Sequence, residues 1–364
     1  MKTVKVSLKD NAYPIMIGRD ILPELGEHLK RLDIGRDAVI ITHPRIRRYH
    51  GKALAAGLEK KGFSVKTFEV PQGEGSKSAK VAFALMEEIA YYDRLRQIFI
   101  MAFGGGVIGD LAGYVAAVYK RGVPYIQVPT TLLAQIDSAI GGKVAIDLPF
   151  GKNLVGAFYQ PRLVYSDISV LSSLDKRQIR NGLAEAVKYG VICDPRLFDY
   201  IAGYYKKILD GQSEALEAVV LSCSRIKAGV VMDDEKETKG IRTILNFGHT
   251  VGHAIEAAAG YSYYHHGEAV ALGMRVAAEI SRELGMLRPD DAVVLSRLLS
   301  DIGLPQKINP SVQVLDILRI MQYDKKFKAG GNRFVLARKI GRVEVVEDIP
   351  PDVIRRAIQC HMGR

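Results

Sequence analysis

No apolar run in this chain approaches the roughly 20 residues that a membrane-spanning helix needs. The opening MKTVKVSLKD alternates charged with apolar residues and lacks the apolar core of a signal peptide. Cysteine is scarce: Cys193, Cys223 and Cys360 are odd in number and show no CxxC spacing, so they read as buried thiols in a reducing cytoplasm. Zinc-finger, RNP and helix-turn-helix patterns are missing, as are internal repeats and low-complexity linkers. A net charge of +11 is compatible with nucleic acid, a membrane surface or an anionic small substrate. The basic clusters are small, however: Arg45, Arg47 and Arg48, then Lys325, Lys326 and Lys328. Neither is interleaved with aromatic residues, which leaves solvated faces or an anionic small molecule.

A chain of 364 residues, 48% hydrophobic and 25% charged, has room for two domains of ordinary globular composition. The first half alternates strand and helix patterns. VKVSL (4–8) and YPIMIG (13–18) read as an opening strand pair, LPELGEHLKRL (22–32) as a helix and DAVIIT (37–42) as a buried strand. RIRRYHGKALAAGLEKKG (45–62) fits an amphipathic helix, SVKTFEV (64–70) a strand, KVAFALMEEIAYY (80–92) a helix and QIFIMAF (97–103) another strand. This alternation implies a parallel, doubly wound sheet covered by helices on both faces, with ligands at the carboxyl ends of its strands. From about Ser169 long helical patterns dominate until FVLAR (334–338) and RVEVVE (342–347), which read as a hairpin before a last helix, VIRRAIQCH. The expectation is an α/β Rossmann-like domain over 1–168 and a mainly helical domain over 169–364.

Glycines at 104, 105, 106 and 109 lie between a strand and a helix, and three of them satisfy GxGxxG. Such a loop lets the backbone approach a pyrophosphate whose charge is stabilised by helix N-terminal amides. The next strand, YIQV (125–128), is followed by PTT and not by the acidic residue that would hold a ribose hydroxyl. Lys143, Lys152 and Asn153 sit in Gly-flanked positions from which lysines reach phosphate or carboxylate as point charges, or simply face solvent.

Four of the eight histidines, His249, His253, His265 and His266, fall in a window of 18 residues beside Glu256 and Glu268. Neutral imidazoles with a carboxylate suit a cation such as zinc. His249 and His253 share one face if GHTVGHAIEAAA is helical, with Glu256 nearby. Spacing alone leaves the ligand set open.

Taken in order, GGGVIGDLAG (104–113), VPTTLLAQIDSAIGGKVAID (128–147), GKNLVGAF (151–158), GLAEAVKYG (182–190), LNFGHTVGHAIE (245–256), HGEAVALGM (266–274) and DKK (324–326) resemble the blocks of the 3-dehydroquinate synthase family over nearly the whole chain. The resemblance implies an N-terminal NAD-binding domain, a helical C-terminal domain and an active site between them. It implies conversion of 3-deoxy-D-arabino-heptulosonate 7-phosphate to 3-dehydroquinate and phosphate, in the shikimate pathway, through transient oxidation, phosphate elimination, re-reduction and aldol closure.

Residue by residue, it makes Glu185, His249 and His266 ligands of zinc or cobalt, and leaves His265 a bystander and Glu256 and Glu268 supporting groups. Lys143, Lys227 and Arg242 would hold the substrate carboxylate, and Asp137 the ring hydroxyls. Asn153, Asn246, His253 and Lys325 or Lys326 would meet the phosphate, and Lys188 the reacting hydroxyls. Arg121 looks like the arginine this family lends across a homodimer interface. NAD would lie against Gly73, Glu74, Gly75, Ser76 and Lys77, then Gly105, Gly106, Val107, Ile108, Gly109 and Asp110. Thr130, Thr131, Lys143, Lys152 and the Leu171, Ser172, Ser173 turn complete its surroundings. Two positions depart from the pattern: His43 stands where an aspartate is common near the adenosine ribose, and the PDGE block reads PQGE. Rival readings are another sugar phosphate cyclase, a metal-dependent polyol dehydrogenase of the glycerol dehydrogenase kind, and a zinc-stabilised binding protein without catalysis.

Overall fold

The computed structural model describes residues 1–323 and 331–363. In chain order the first elements are β1 (Lys2–Val6), β2 (Tyr13–Gly18), α1 (Leu25–Leu32), β3 (Asp37–Thr42), α2 (Pro44–Ile46), α3 (Lys52–Glu59), β4 (Ser64–Glu69), α4 (Ala79–Tyr92), β5 (Ile98–Gly104), α5 (Gly106–Val118) and β6 (Tyr125–Pro129). There follow β7 (Lys143–Leu148), β8 (Gly151–Phe158), β9 (Val164–Asp167), α6 (Lys176–Ile192), α7 (Pro195–Leu209), α8 (Ser213–Asp233) and α9 (His249–Ala258). The last are α10 (His266–Glu283), α11 (Pro289–Asp301), α12 (Val314–Tyr323), β10 (Arg333–Lys339), β11 (Arg342–Glu347) and α13 (Pro351–Cys360). Two compact units result: Met1–Asp175 with Ser213–Lys236, and Lys176–Gln212 with the chain from Glu237 onward.

The first unit is built on a seven-stranded sheet in the order β1-β2-β9-β6-β5-β3-β4, parallel except for the β1–β2 pair. The strands β3, β5 and β6 read as unbroken apolar runs because both of their faces are covered. Val39, Ile41, Ile98, Ile100 and Ala102 point into one core with α4 and α5. The alternate residues Ile40, Phe99, Met101 and Phe103 are buried on the other face, as the two-residue strand period requires. The β7–β8 hairpin packs on α5, and a side chain at Gly113 would come within 2.3 Å of Val144. This hairpin was not expected: its Gly-flanked lysines read as loops because β8 exposes most of its length and carries little apolar signal.

The second unit is organised around α10, whose run from Ala269 to Ala278 is entirely buried. A helix apolar on all sides must be surrounded, and α6, α9, α11, α13 and β10 surround it. The β10–β11 hairpin and α13 fall where the sequence placed them.

The expected domain division at 168/169 differs from these units in residues 169–175 and in the segment Ser213–Lys236 that carries α8, all of which belong to the first unit. That helix joins the first unit, where Glu217 pairs with Lys2 and Arg19 at 3.2 and 3.1 Å and the Ser224 hydroxyl meets the Gln135 carbonyl at 3.5 Å. Helical periodicity marks a face as apolar without saying which neighbour covers it. The thiols also need correction: Cys223 is buried, whereas Cys193 and Cys360 are exposed. Among the described residues no helix is long and apolar enough to cross a membrane.

Candidate functional site

In the second unit, three separate helices bring their functional groups together. Glu185 lies in the middle of α6 and is fully buried, whereas His249 opens α9 and His266 opens α10. The Nε2 atoms of both imidazoles stand 3.4 Å from Glu185 Oε1, and the Lys188 ammonium, one turn along α6, pairs with Oε2. Among the described residues neither carboxylate oxygen has a partner in hydrogen-bond geometry. The outer nitrogens are anchored: His249 Nδ1 faces the Phe247 carbonyl at 3.2 Å and His266 Nδ1 the Glu256 carboxylate at 3.5 Å. If each Nδ1 donates to the acceptor it faces, both Nε2 lone pairs are directed at Glu185, the orientation that outer hydrogen bonds impose on metal-binding histidines.

The donor set fits a cation. Bonds of about 2.1 Å at tetrahedral angles separate ligand atoms by about 3.4 Å, which is the separation of Glu185 Oε1 from either Nε2. Electrostatics agree. Burial pushes the Glu185 carboxyl up, but Lys188, His249 and His266 together outweigh it and hold the group well below the carboxylate range. Burial holds His249 well below its usual value, and it opposes charge on His266 as well, where Glu185 and Glu256 nevertheless raise the imidazole to about 9. A second triad overlaps the first, since ligand atoms of His249, His253 and His266 lie within 4.8 Å of one another. The difference is burial: His253 is exposed and Glu185 is enclosed.

Local packing explains the motif around these three residues. A Cβ at Gly267 would sit 2.1 Å from the Asn181 carbonyl, and Gly267 N donates to Asn181 Oδ1 at 2.5 Å, so α10 begins hard against α6. Asn181 was missed by sequence reasoning; a buried asparagine inside an apolar helix was its only signal. His265 caps α10 in a reciprocal box with Glu268, which also binds Arg177 at 2.7 and 2.8 Å. These contacts give both residues supporting jobs. Arg242 is buried in the turn Ile241–Asn246 with its Nε 3.4 Å from Glu237, and Asn246 ends that turn. Lys325 and Lys326 lie outside the described residues.

The first unit collects the remaining candidates. β5 runs through Gly104 and Gly105 into α5, whose N-terminus has no side-chain cap. Its first-turn amides are therefore left for another partner. A Cβ at Gly104 would lie 2.6 Å from Ile108 Cβ, one at Gly109 would displace the Gln127 amide 2.9 Å away, and one at Gly106 would stand 3.1 Å from Ser138 Oγ. Ile108 is itself core. Around the loop, Thr130 Oγ1 and Ser138 Oγ are buried without hydrogen-bond partners among the described residues, and Thr131 Oγ1 accepts from Ala134 N at 3.1 Å. Orphaned hydroxyls beside a glycine cradle suit a polar ligand approaching the backbone.

Lys77 joins the loop to the hairpin, pairing with Asp110 Oδ2 at 2.5 Å and with Asn153 Oδ1, while Asp147 lies 4.0 Å away. Asp147 accepts from the Asn153 amide at 2.7 Å and so secures the left-handed backbone of Asn153 at φ 57. It is another missed residue, lying just before a tight turn. Burial raises Asp110 to about 6 against the opposing Lys77, and raises Glu74 against Lys152, 3.9 Å away, and Lys77. Gly73 adopts φ 104, with Gly75 and Ser76 following in a 3-10 turn. The hydroxyls of Ser172 and Ser173 bond to carbonyls of their own turn, beside buried Leu171, and Val107 is half-buried in the loop.

Lys227 of α8 pairs with Asp137 at 2.5 Å, and Lys143 is exposed at the start of β7. Arg121 is exposed in a turn where Lys120, Arg121 and Gly122 have φ of 49, 66 and 124. Two consecutive left-handed residues with side chains are strained by about 1–2 kcal/mol each. Tyr119 and Lys120 both bind buried Asp93, which holds the turn in place.

Comparison with known proteins agrees with this arrangement. Residues 67–181 match the family model described as 3-dehydroquinate synthase N-terminal, and residues 182–327 that described as 3-dehydroquinate synthase C-terminal. The chain is 44% identical over 349 residues to the 3-dehydroquinate synthase of Desulforamulus reducens, covering 96% of this chain and 97% of that one. Among solved structures, 2-deoxy-scyllo-inosose synthase complexed with carbaglucose-6-phosphate, NAD+ and Co2+ superposes with a TM-score of 0.90 at 27% identity, covering 99% of this chain and 100% of that one. ValA, the 2-epi-5-epi-valiolone synthase of Streptomyces hygroscopicus subsp. jinggangensis 5008 with NAD+ and Zn2+ bound, gives 0.88 at 26%, covering 97% and 98%. By the match of both family models and by full-length identity to its relatives, the chain belongs to the 3-dehydroquinate synthase family.

Proposed function

We propose that the protein is a phosphate-eliminating lyase, converting 3-deoxy-D-arabino-heptulosonate 7-phosphate to 3-dehydroquinate and inorganic phosphate in the shikimate pathway, and that it works in the cytoplasm as a homodimer. The observation that carries this reading is the convergence of two imidazole nitrogens on a buried carboxylate, in a chain whose blocks match the family in order. Glu185, His249 and His266 would hold zinc or cobalt, and the loop from Gly104 to Asp110 with Lys77, Thr130, Thr131 and Lys152 would hold NAD. When bound, NAD supplies reversible hydride acceptance, and the divalent cation polarises the substrate oxygens it binds.

The chain's own groups account for recognition. Lys188 Nζ, fully buried against Glu185 Oε2, would donate hydrogen bonds to the reacting substrate hydroxyl oxygens. Lys143, Lys227 and Arg242 supply positive charge for the carboxylate, Asp137 accepts from ring hydroxyls, and Asn153, Asn246, His253, Arg121 and Lys325 or Lys326 bind the phosphate. A doubly anionic substrate accounts for the net charge of +11 without invoking nucleic acid. The fold match to 2-deoxy-scyllo-inosose synthase favours a cyclase for a sugar phosphate lacking the carboxylate, but the higher identity to 3-dehydroquinate synthases weighs against it.

Purified protein should release phosphate from the heptulosonate phosphate and not from a hexose 6-phosphate. A chelator should abolish the release, and zinc or cobalt should restore it. Silence toward the heptulosonate phosphate with metal and NAD bound would reject the assignment.

A further inference from the structure

We infer that Arg177 and Asn181 are positioning residues for the proposed metal site: α6 carries a polar stripe that fixes where α10 begins, and so where His266 meets Glu185. This inference rests on the metal reading given above.

The stripe is a consequence of helix period. Arg177, Asn181 and Glu185 follow one another on α6 at every fourth residue, which puts them on one face at intervals of about 6 Å. Each holds a different part of the chain entering α10. Arg177 Nε and Nη2 donate to the two carboxylate oxygens of Glu268 at 2.7 and 2.8 Å, and Nη2 also reaches the Tyr263 carbonyl at 3.2 Å. Asn181 Oδ1 accepts from the Gly267 amide, and Glu185 Oε1 lies 3.4 Å from His266 Nε2. Residues on both sides of His266 are thus tied to three successive turns of one helix.

His266 depends on this restraint more than its neighbours do. Its side chain is 33% exposed, against 11% for His249 and 0% for Glu185, so packing holds it least of the three. Its ring must still face two ways, with Nε2 toward Glu185 and Nδ1 toward Glu256 at 3.5 Å. The backbone therefore has to orient it. The Asn181 contact alone is a single pivot at Gly267, about which the start of α10 can turn. The Arg177 fork supplies the second point, because two parallel N–H bonds fix a carboxylate in direction as well as distance. Glu268 passes that restraint back along the chain, since its Oε2 accepts from the His265 amide at 2.9 Å.

Arg177 is not a core group whose loss would collapse the unit. Its side chain is 51% exposed and borders an open cavity of about 740 Å³ together with Tyr264, Lys307 and Asn309. Truncation there leaves no enclosed void of the kind that makes core substitutions destabilising. Its effect on the metal site is therefore separable from an effect on folding.

The test is zinc affinity of the full chain, read by competition with a chromophoric chelator at a temperature where circular dichroism shows each variant folded. A role in folding alone would leave that affinity unchanged. Arg177→Ala should weaken zinc at least about threefold, and Asn181→Ala likewise. Arg177→Lys keeps the charge but replaces the fork by a single point, and should recover only part of the loss. Glu268→Gln should also weaken zinc, which keeps the test valid should Arg177→Ala misfold. Arg338→Ala removes an exposed pair with Glu344 at 2.6 Å in the β10–β11 hairpin, and should change nothing. A loss smaller than about threefold in Arg177→Ala, a loss that Arg177→Lys does not reduce, or an equal loss in Arg338→Ala would overturn the positioning role and leave the metal reading standing. Wild-type protein that binds no zinc would overturn the two together.

Discussion

Replacing Gly273 with alanine tests whether the proposed metal ligands are positioned by helix packing. A Cβ at Gly273 would lie 1.9 Å from the Gly248 carbonyl oxygen and 2.7 Å from the Gly252 amide nitrogen, so α10 touches α9 backbone to backbone. Gly248, at φ 79, immediately precedes His249. An added methyl cannot be absorbed by a flexible side chain; α9 has to retreat by about 1 Å before the contact becomes tolerable in a close-packed interior. His249 opens α9 while His266 remains at the start of α10, so the donors separate by a similar distance. Metal sites tolerate about 0.2 Å. Overpacking of this kind is destabilising by about 1–3 kcal/mol, and at about 2–4 °C per kcal/mol the melting temperature should fall by about 2–12 °C. Scanning calorimetry gives the melting temperature, and competition with a chromophoric chelator gives zinc affinity, which should drop by about 10- to 100-fold. Gly203→Ala serves as the control, because nothing lies within 4 Å of a Cβ there; it should be neutral or stabilising by up to about 1 kcal/mol. A Gly273→Ala protein with unchanged melting temperature and zinc affinity would refute the link between this helix contact and the ligand set.

Glu185→Gln strips Lys188 of its buried partner, an effect of about 3–5 kcal/mol, and should also lose metal on desalting, as read by atomic emission. Full metal retention would remove Glu185 from the ligands and favour the triad of His249, His253 and His266. Lys152→Ala, at a half-buried side chain 3.9 Å from Glu74, should reduce phosphate release while metal content stays the same; wild-type turnover would exclude Lys152 from the cofactor site. Burial, Lys307 and Arg275 lower His361 from 6.5 to about 4, against Glu279. Its folded-state value is depressed, so the unfolded chain binds the proton more readily and stability is lost as pH falls through 6.5 toward 4. The loss amounts to about 3 kcal/mol, and chemical denaturation of His361→Gln across this range should show a shallower slope; an identical profile would contradict the assignment.

Alternating strand and helix periods were sufficient to establish the parallel sheet, since each apolar run of β3, β5 and β6 is a local consequence of burial on two faces. The histidine-rich window and the glycine loop were equally plain, because their chemistry lies in residue type. The ligand set was not. His253 shares a helical face with His249, and periodicity treats the two alike; only the third helix, α6, brings a fully buried carboxylate, Glu185, to the pair, while His253 stays exposed. The same holds for α8, whose apolar face suited either unit until the sheet edge claimed it, and for Asp147 and Asn181, whose roles consist of holding backbone amides distant in sequence. Local pattern is determined by which surfaces must leave water, and that is written residue by residue. Which buried surfaces meet depends on contacts between residues far apart in the chain, and these decided where Glu185, His249 and His266 converge.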